Sequence, residues 1–174
     1  EAINEVIYTE RDFVRDMEYL RDVWVAGIRN SDIIPVERRE AFISQVFWNL
    51  LAIIDVNTRL RDALTKRQKQ YTIVGEIGDI FLEIVPSFSP FVDYGAHQMY
   101  GKYEFEKEKA NNPAFAAFVE DIERLPESRK LELNGYLTKP TTRLARYPLL
   151  LEAVLKHTPE SSPDKLTLQE VIKT

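Results

Sequence analysis

Between Ala2 and Arg29 apolar residues return every three or four positions, and a chain that does this has few ways to fold. At 100° per residue, Ile3, Val6, Ile7, Phe13, Val14, Met17, Leu20, Trp24 and Ile28 fall on one broad stripe. That pattern predicts a helix roughly 40 Å long, whose apolar side has to be covered by other helices. One residue breaks the rule. Glu10 falls near the centre of the stripe, where a lone carboxylate would cost several kcal/mol or take up a proton.

The rest of the chain supplies the covering helices. A break at Asn30-Ser31-Asp32 is followed by Pro35. Val36 to Lys69 reads as a helix that bends, with Phe42, Val46, Phe47, Leu50, Leu51, Ile54 and Leu60 on its apolar side. Gly75 to Val85 is a further helix, interrupted by Pro86 and Pro90. Phe91 to Lys109 resumes, with Tyr94, Met99, Tyr103 and Phe105 as core candidates. Asn111-Asn112-Pro113 is a helix start, a polar cap followed by proline in the first turn. The helix it opens ends at Pro126, and Ser128 is placed to cap a helix from Arg129 to Leu137. Pro140 opens a segment to about Thr158, a polar loop runs to Pro163, and a last helix begins near Asp164. No stretch alternates long enough to build a sheet. The fold class expected is all-α, a helical bundle, with residues 1–174 forming one domain.

Composition excludes several kinds of function. A net charge of −5 argues against nucleic acid as the main partner, since neutralising phosphates needs a basic surface. There are no cysteines and two histidines, His97 and His157, so disulfides and thiolate or histidine metal sites are not expected. Neither GxxxxGK[ST] nor GxGxxG occurs, so the chain does not read as a nucleotide binder, and no cofactor is expected. Its apolar runs are too short to cross a bilayer. A reducing, cytoplasmic setting is the simplest reading. Of the surface aromatics, Tyr71 and Tyr100 are read as core or rim packing in preference to partner contacts.

Glu10 admits three readings: a pair with a buried cation from another helix, a place on an exposed apolar groove awaiting a partner, or a general acid or base. The last is weak, because no second carboxylate or histidine is placed with it. The other acids of this helix, Glu5, Asp12, Asp16, Glu18 and Asp22, mostly face outward among Arg11, Arg15 and Arg21, as a solvated face.

A second informative stretch runs from Gly135 to His157. On a helix, Lys139, Arg143 and Arg146 lie within about 60° of one another, opposite an apolar stripe of Leu144, Tyr147, Leu151, Val154 and Leu155. Pro148 sits inside this pattern and should kink the helix or remove one hydrogen bond. The cations could be solvated, neutralise internal carboxylates such as Glu10, or meet an anionic partner.

YTERDFVRDMEYL (Tyr8 to Leu20), IGDIFLEIVPSFSPFVDYGAHQ (Ile77 to Gln98) and NGYLTKPTTRLARYPLLLEAVLKHT (Asn134 to Thr158) resemble the three conserved regions of the Dbl-homology (DH) family of RhoGEF domains. The stretch LPESRKLELNGYLTKPTTRLARYPLLLE is similar to the fungal Rho exchange factors of the cell-wall-integrity pathway. The resemblance implies an elongated DH-type bundle that binds a nucleotide-free or GDP-bound Rho-family small GTPase. It implies release of GDP by favouring a GTPase conformation with disrupted Mg²⁺ and phosphate sites, with no covalent chemistry. Glu10 matches the glutamate of a T-E motif that contacts switch I, and Lys139 the lysine of a K-P motif that contacts switch II. Arg143 matches the family arginine. Thr141 and Thr142 depart from the apolar residue and glutamine common there. Ser128 takes an edge position, and Arg129 and Lys130 resemble a basic pair of Rho-selective members. The resemblance also implies a last helix that stops short at Thr174, no PH domain within this chain, and membrane recruitment only through flanking domains. The motif around Lys139 tips Glu10 towards the open-groove reading. The alternative function is a helical scaffold that binds a partner or acidic membrane through the Lys139 stripe, without exchange activity. On the open-groove reading Glu10→Ala abolishes exchange and spares stability; on the buried-pair reading it costs stability.

Overall fold

A computed structural model describes residues 2–70, 77–129, 131–158, 162 and 164–173. Among these there is no strand. The ten α-helices are α1 (Ala2–Tyr19), α2 (Ala26–Arg29), α3 (Val36–Phe47), α4 (Leu50–Gln70), α5 (Gly78–Ile84), α6 (Ser89–Asn111), α7 (Pro113–Glu123), α8 (Leu133–Leu137), α9 (Lys139–Lys156) and α10 (Asp164–Lys173). Gly75, Tyr71, Lys130 and most of the loop before Asp164 lie outside the described residues.

The apolar stripe of the first helix is buried along its length: Val6, Ile7, Phe13, Val14, Met17, Leu20, Trp24 and Ile28 are all core residues. The helix is not uniform. A π-helical stretch, Leu20–Val25, joins α1 to α2. A wider turn lets the stripe change phase without a break, so both Leu20 and Trp24 stay fully buried. Around α1 lie α4 and α9. The long α6 packs on α3, α7 and α9, while α10 packs on α5 and α9. α4 and α6 are 21 and 23 residues long, roughly 30 Å or more each, which makes the bundle elongated. No single helix among the described residues is long and apolar enough to cross a membrane.

The punctuation residues act as the sequence predicts. The bend within Val36 to Lys69 is a break at Trp48-Asn49, with α3 and α4 at 48°. Trp48 turns the corner at φ 50°, ψ −123°, a conformation that favours glycine and costs a larger residue on the order of 1–3 kcal/mol. Asn112 caps α7: its Oδ1 accepts from the Phe115 N–H at 3.1 Å. Its Nδ2 donates to the Ile33 carbonyl and to Glu108. α9 runs through Pro148 without ending.

Four apolar or capping assignments need correction. Leu51, Met99 and Tyr103, read as core, are exposed, because periodicity places a residue on a stripe but not the stripe's edge. Ser128 caps nothing. It sits in a 3₁₀ turn, Pro126–Ser128, and the next helix begins only at Leu133.

Asn112→Ala removes one cap and two further hydrogen bonds. It is expected to lower unfolding free energy by about 1–2 kcal/mol, measured by urea denaturation; an unchanged midpoint would show that the cap contributes nothing.

Candidate functional site

Three segments far apart in the sequence, around Glu10, Asn57 and Arg143, meet at one buried carboxylate, that of Glu10. Glu10 is 0% exposed. Its Oε1 accepts from Arg143 Nη2 at 2.8 Å and Nε at 3.1 Å, and from the Tyr147 hydroxyl at 2.7 Å. Its Oε2 accepts from Asn57 Nδ2 at 2.7 Å, and the same amide reaches the Tyr147 oxygen. The Arg143 guanidinium lies over the Tyr147 ring, 4.7 Å from its centroid, and donates to Thr9 Oγ1. Two residues from α1, one from α4 and two from α9 are thereby joined in one cluster.

This corrects the expectation of an open groove carrying Glu10. The cation that the carboxylate needs is Arg143 on α9, itself 5% exposed, and the buried-pair reading holds. The burial of the cluster has an electrostatic signature. Burial first, and then the Glu10 carboxylate, push the Tyr147 phenol well above its ordinary value of 10, because its anion would stand unsolvated beside another anion.

A second carboxylate continues the seam between α1 and α9. Asp16, expected on the solvated face, is buried. It is paired with Arg129 and, at 3.1 Å, with Lys139. Lys139 also lies 5.7 Å from the centre of the Tyr136 ring. Ser128, expected at an interface edge, is 0% exposed. Its hydroxyl donates to the Ile122 carbonyl at 2.7 Å and is paired with the Tyr19 hydroxyl, while its own carbonyl accepts from Tyr136. Arg129 follows in the left-handed region at φ 53°. Lys130 lies outside the described residues.

The contacts Thr9–Arg143 and Asp16–Lys139 show that α1 and α9 run antiparallel. At the far end a groove is lined by Ala2 and Glu5 from α1, Ala153 from α9 and His157 at its C-terminal cap. Helical geometry then defines the solvent side of the seam. It carries Glu5, Tyr8 and Asp12 from α1, and Thr142, Arg146 and Leu149 from α9; Tyr8 and Leu149 are exposed at 54% and 66%. Arg146 is exposed and makes no ion pair among the described residues. Thr142 is exposed on this side, bonded to the Thr138 carbonyl. Thr141 lies round the helix, against Gln98 of α6 at 3.0 Å. Of the residues expected at an interface, Glu10 and Arg143 are thus buried inside the α1–α9 seam and Ser128 in the 3₁₀ turn Pro126–Ser128.

Among the described residues no group of histidine, aspartate or glutamate could hold a metal ion.

Comparison with known proteins follows this geometry. The family profile described as "RhoGEF domain" matches residues 2–174. The chain is 66% identical over 172 residues to the Rho1 guanine nucleotide exchange factor 1 of Schizosaccharomyces pombe, covering 99% of this chain and 13% of that protein. It is 36% identical over 173 residues to the RHO1 GDP-GTP exchange protein 2 of Saccharomyces cerevisiae, covering 99% of this chain and 12% of that one. The chain thus spans about an eighth of these relatives' length. Among solved structures, the complex of human RhoA with the DH/PH fragment of PDZRHOGEF matches with a TM-score of 0.91 at 22% identity, covering 99% of this chain and 49% of that chain. That likeness shows the fold.

Removing the Glu10 carboxylate strands the Arg143 charge in the core. Glu10→Ala is expected to lower stability by about 3–5 kcal/mol and the melting temperature by roughly 10 °C; melting within 2–3 °C of the parent would contradict the pairing as the residue's main role. A second expectation concerns alkaline solution. Burial raises the phenols of both Tyr94 and Tyr147, so the unfolded chain loses those protons first. The stability they contribute is complete below about pH 10 and falls as pH rises towards the folded values. Denaturation midpoints should therefore drop from about pH 10 upward, and Tyr147→Phe should make that drop shallower; identical slopes would count against it.

Proposed function

The chain belongs to the RhoGEF domain family, and from that premise we propose that it is a guanine-nucleotide exchange domain that binds a Rho-family small GTPase and accelerates release of its GDP. The observation that carries the reading is the α1–α9 seam: two helices locked in register by Glu10 and Arg143, with an exposed face of mixed charge along it. A rigid, preformed face of this kind suits a protein whose work is to select one conformation of another protein.

On this reading the buried residues and the exposed ones have different tasks. Glu10, Arg143 and Ser128 hold the frame. Lys139 and Arg129, fixed by Asp16, and Thr142 border the contact. Glu5, Tyr8, Arg146 and Leu149 meet the GTPase directly. Arg146 and Glu5 offer charge of both signs to a switch segment, and Tyr8 and Leu149 offer apolar area. The face binds the GTPase more tightly when its Mg²⁺ and phosphate sites are disrupted, and that difference in affinity drives GDP out. No covalent bond is made or broken. GTP reloading reverses the preference and releases the exchange domain. Thr141 sits on the α6 side of α9, at the margin of the contact. Arg129, with Lys130 beside it, is assigned the preference for Rho over Rac or Cdc42-like GTPases. The work is placed in the cytoplasm, within a cell-wall-integrity pathway as the fungal resemblance implies, with plasma-membrane recruitment left to flanking domains of the full-length protein.

The experiment is release of a fluorescent GDP analogue from a Rho-type GTPase. The domain should accelerate release, and Arg146→Glu should slow it at least tenfold with unchanged melting, whereas Glu10→Ala should lower both. No acceleration with any Rho, Rac or Cdc42-like GTPase would end the exchange reading. Charge reversal at Arg129 should harm a Rho substrate more than a Rac substrate; equal losses would remove the selectivity assignment.

A further inference from the structure

The corner between α3 and α4 carries an arrangement that the exchange reading does not use. Trp48 is held at φ 50°, where glycine would fit without strain, yet the residue present is the largest of the twenty. It does not retreat into the core. It is 47% exposed, with its indole stacked on the His97 ring at 4.0 Å between centroids and 10° between planes. The Tyr100 ring stands edge-on to His97 at 5.1 Å. His97 Nε2 donates to the Gln45 carbonyl at 2.8 Å, which fixes the imidazole as a platform. A strained, bulky, half-exposed side chain is a pointer to function.

The surroundings of this aromatic step are electronegative. Asp93, His97, Tyr100 and Glu104 are spaced i, i+4, i+7 and i+11 on α6, so the two rings lie between two carboxylates along one face. Asp93 is exposed and Glu104 is half-buried. The carbonyl end of α3 points the same way, since α6 passes so close that a Cβ on Gly101 would lie 3.0 Å from the carbonyl oxygens of Gln45 and Val46. Helix C-termini carry partial negative charge. Two cations share a groove with Glu104: Lys107, one turn further along α6, and Arg38 of α3, which is paired with Glu108. Exposed Leu51, on α4 just past the corner, adds apolar area. Indole and phenol faces flanked by carboxylates suit arginine and lysine side chains, which stack on rings and pair with carboxylates. The same negative charge disfavours an anionic membrane.

We propose that the Trp48–His97–Tyr100 step, with Asp93 and Glu104, is a docking site for a basic, arginine- or lysine-bearing segment of a partner protein. It is separate from the α1–α9 face.

The test titrates the domain with a fluorescently labelled tetra-arginine peptide, with a tetra-glutamate peptide as control, and follows both peptide anisotropy and tryptophan emission. Trp24 is fully buried, so Trp48 supplies the responsive signal. Saturable binding of the arginine peptide alone is expected. Asp93→Asn with Glu104→Gln should weaken it at least fivefold. Trp48→Gly should weaken it at least tenfold while leaving melting unchanged or raised and GDP release from the GTPase unaltered. Binding that survives Trp48→Gly, or no arginine-peptide binding at all, would overturn the proposal. So would preferential binding to phosphatidylserine-containing vesicles. A Trp48→Gly variant with lowered melting, together with full peptide binding by the Asp93/Glu104 variant, would assign Trp48 to packing instead.

Discussion

The ion pair between Glu10 and Arg143 is the contact on which the geometry of this domain depends. It lies where α1, α4 and α9 converge: α4 donates to the carboxylate through Asn57, and α9 through Arg143 and Tyr147. Burying such a pair is not an efficient way to gain stability, because desolvation offsets most of the attraction. What it does supply is register. A leucine at position 10 could pack against α9 in several neighbouring rotations and offsets. A carboxylate with donors from Arg143, Tyr147 and Asn57 has one arrangement that leaves no charge unpaired. Asp16 repeats the device less than two turns on, and by holding Lys139 and Arg129 it sets the position of the chain entering α9.

Much of this was legible in the sequence. The stripe from Ile3 to Ile28, the break before Pro35, the cap at Asn112 and the all-α class all follow from spacing and local chemistry, which a linear reading captures. The corner at Trp48 was legible only as a bend. What spacing could not tell was which neighbour meets which. Glu10 on an apolar stripe looks the same whether its partner is an internal arginine or another protein, and Arg143 and Arg146, three residues apart in one basic stripe, look alike until the helix is rotated against its neighbours. In the structure that rotation buries one arginine and exposes the other. The same ignorance of stripe edges misplaced Met99 and Tyr103, and the π-helical stretch at Leu20–Val25 shifts phase in a way that a fixed 100° step does not anticipate.

The proposed division between frame and face would also explain how a motif can be diagnostic without touching the partner. Residues such as Glu10, Arg143 and Tyr147 constrain one another so tightly that changing any one strands the rest. A pattern of this kind marks the fold of α1 against α9, and the contact surface is then whatever those helices display beside it. Glu5, Tyr8, Arg146 and Leu149 are individually ordinary residues. Their meaning comes from sharing the solvent side of a seam whose register the buried cluster sets.

A rigid frame matters more for exchange than for simple binding. A flexible face would adapt to the nucleotide-bound and nucleotide-disrupted forms of a GTPase almost equally, and a binder with equal affinity for two states shifts nothing, however tight it is. Stiffness converts contact into discrimination: if the face cannot follow the GTPase, the GTPase has to fit the face, and the free energy of binding is then available only to the conformation that has let go of its nucleotide. On that proposal the buried pair acts on the partner without touching it. Under the proposed exchange function its contribution is the refusal of α1 and α9 to move relative to each other, and that refusal rests on a charge that has no other place to go.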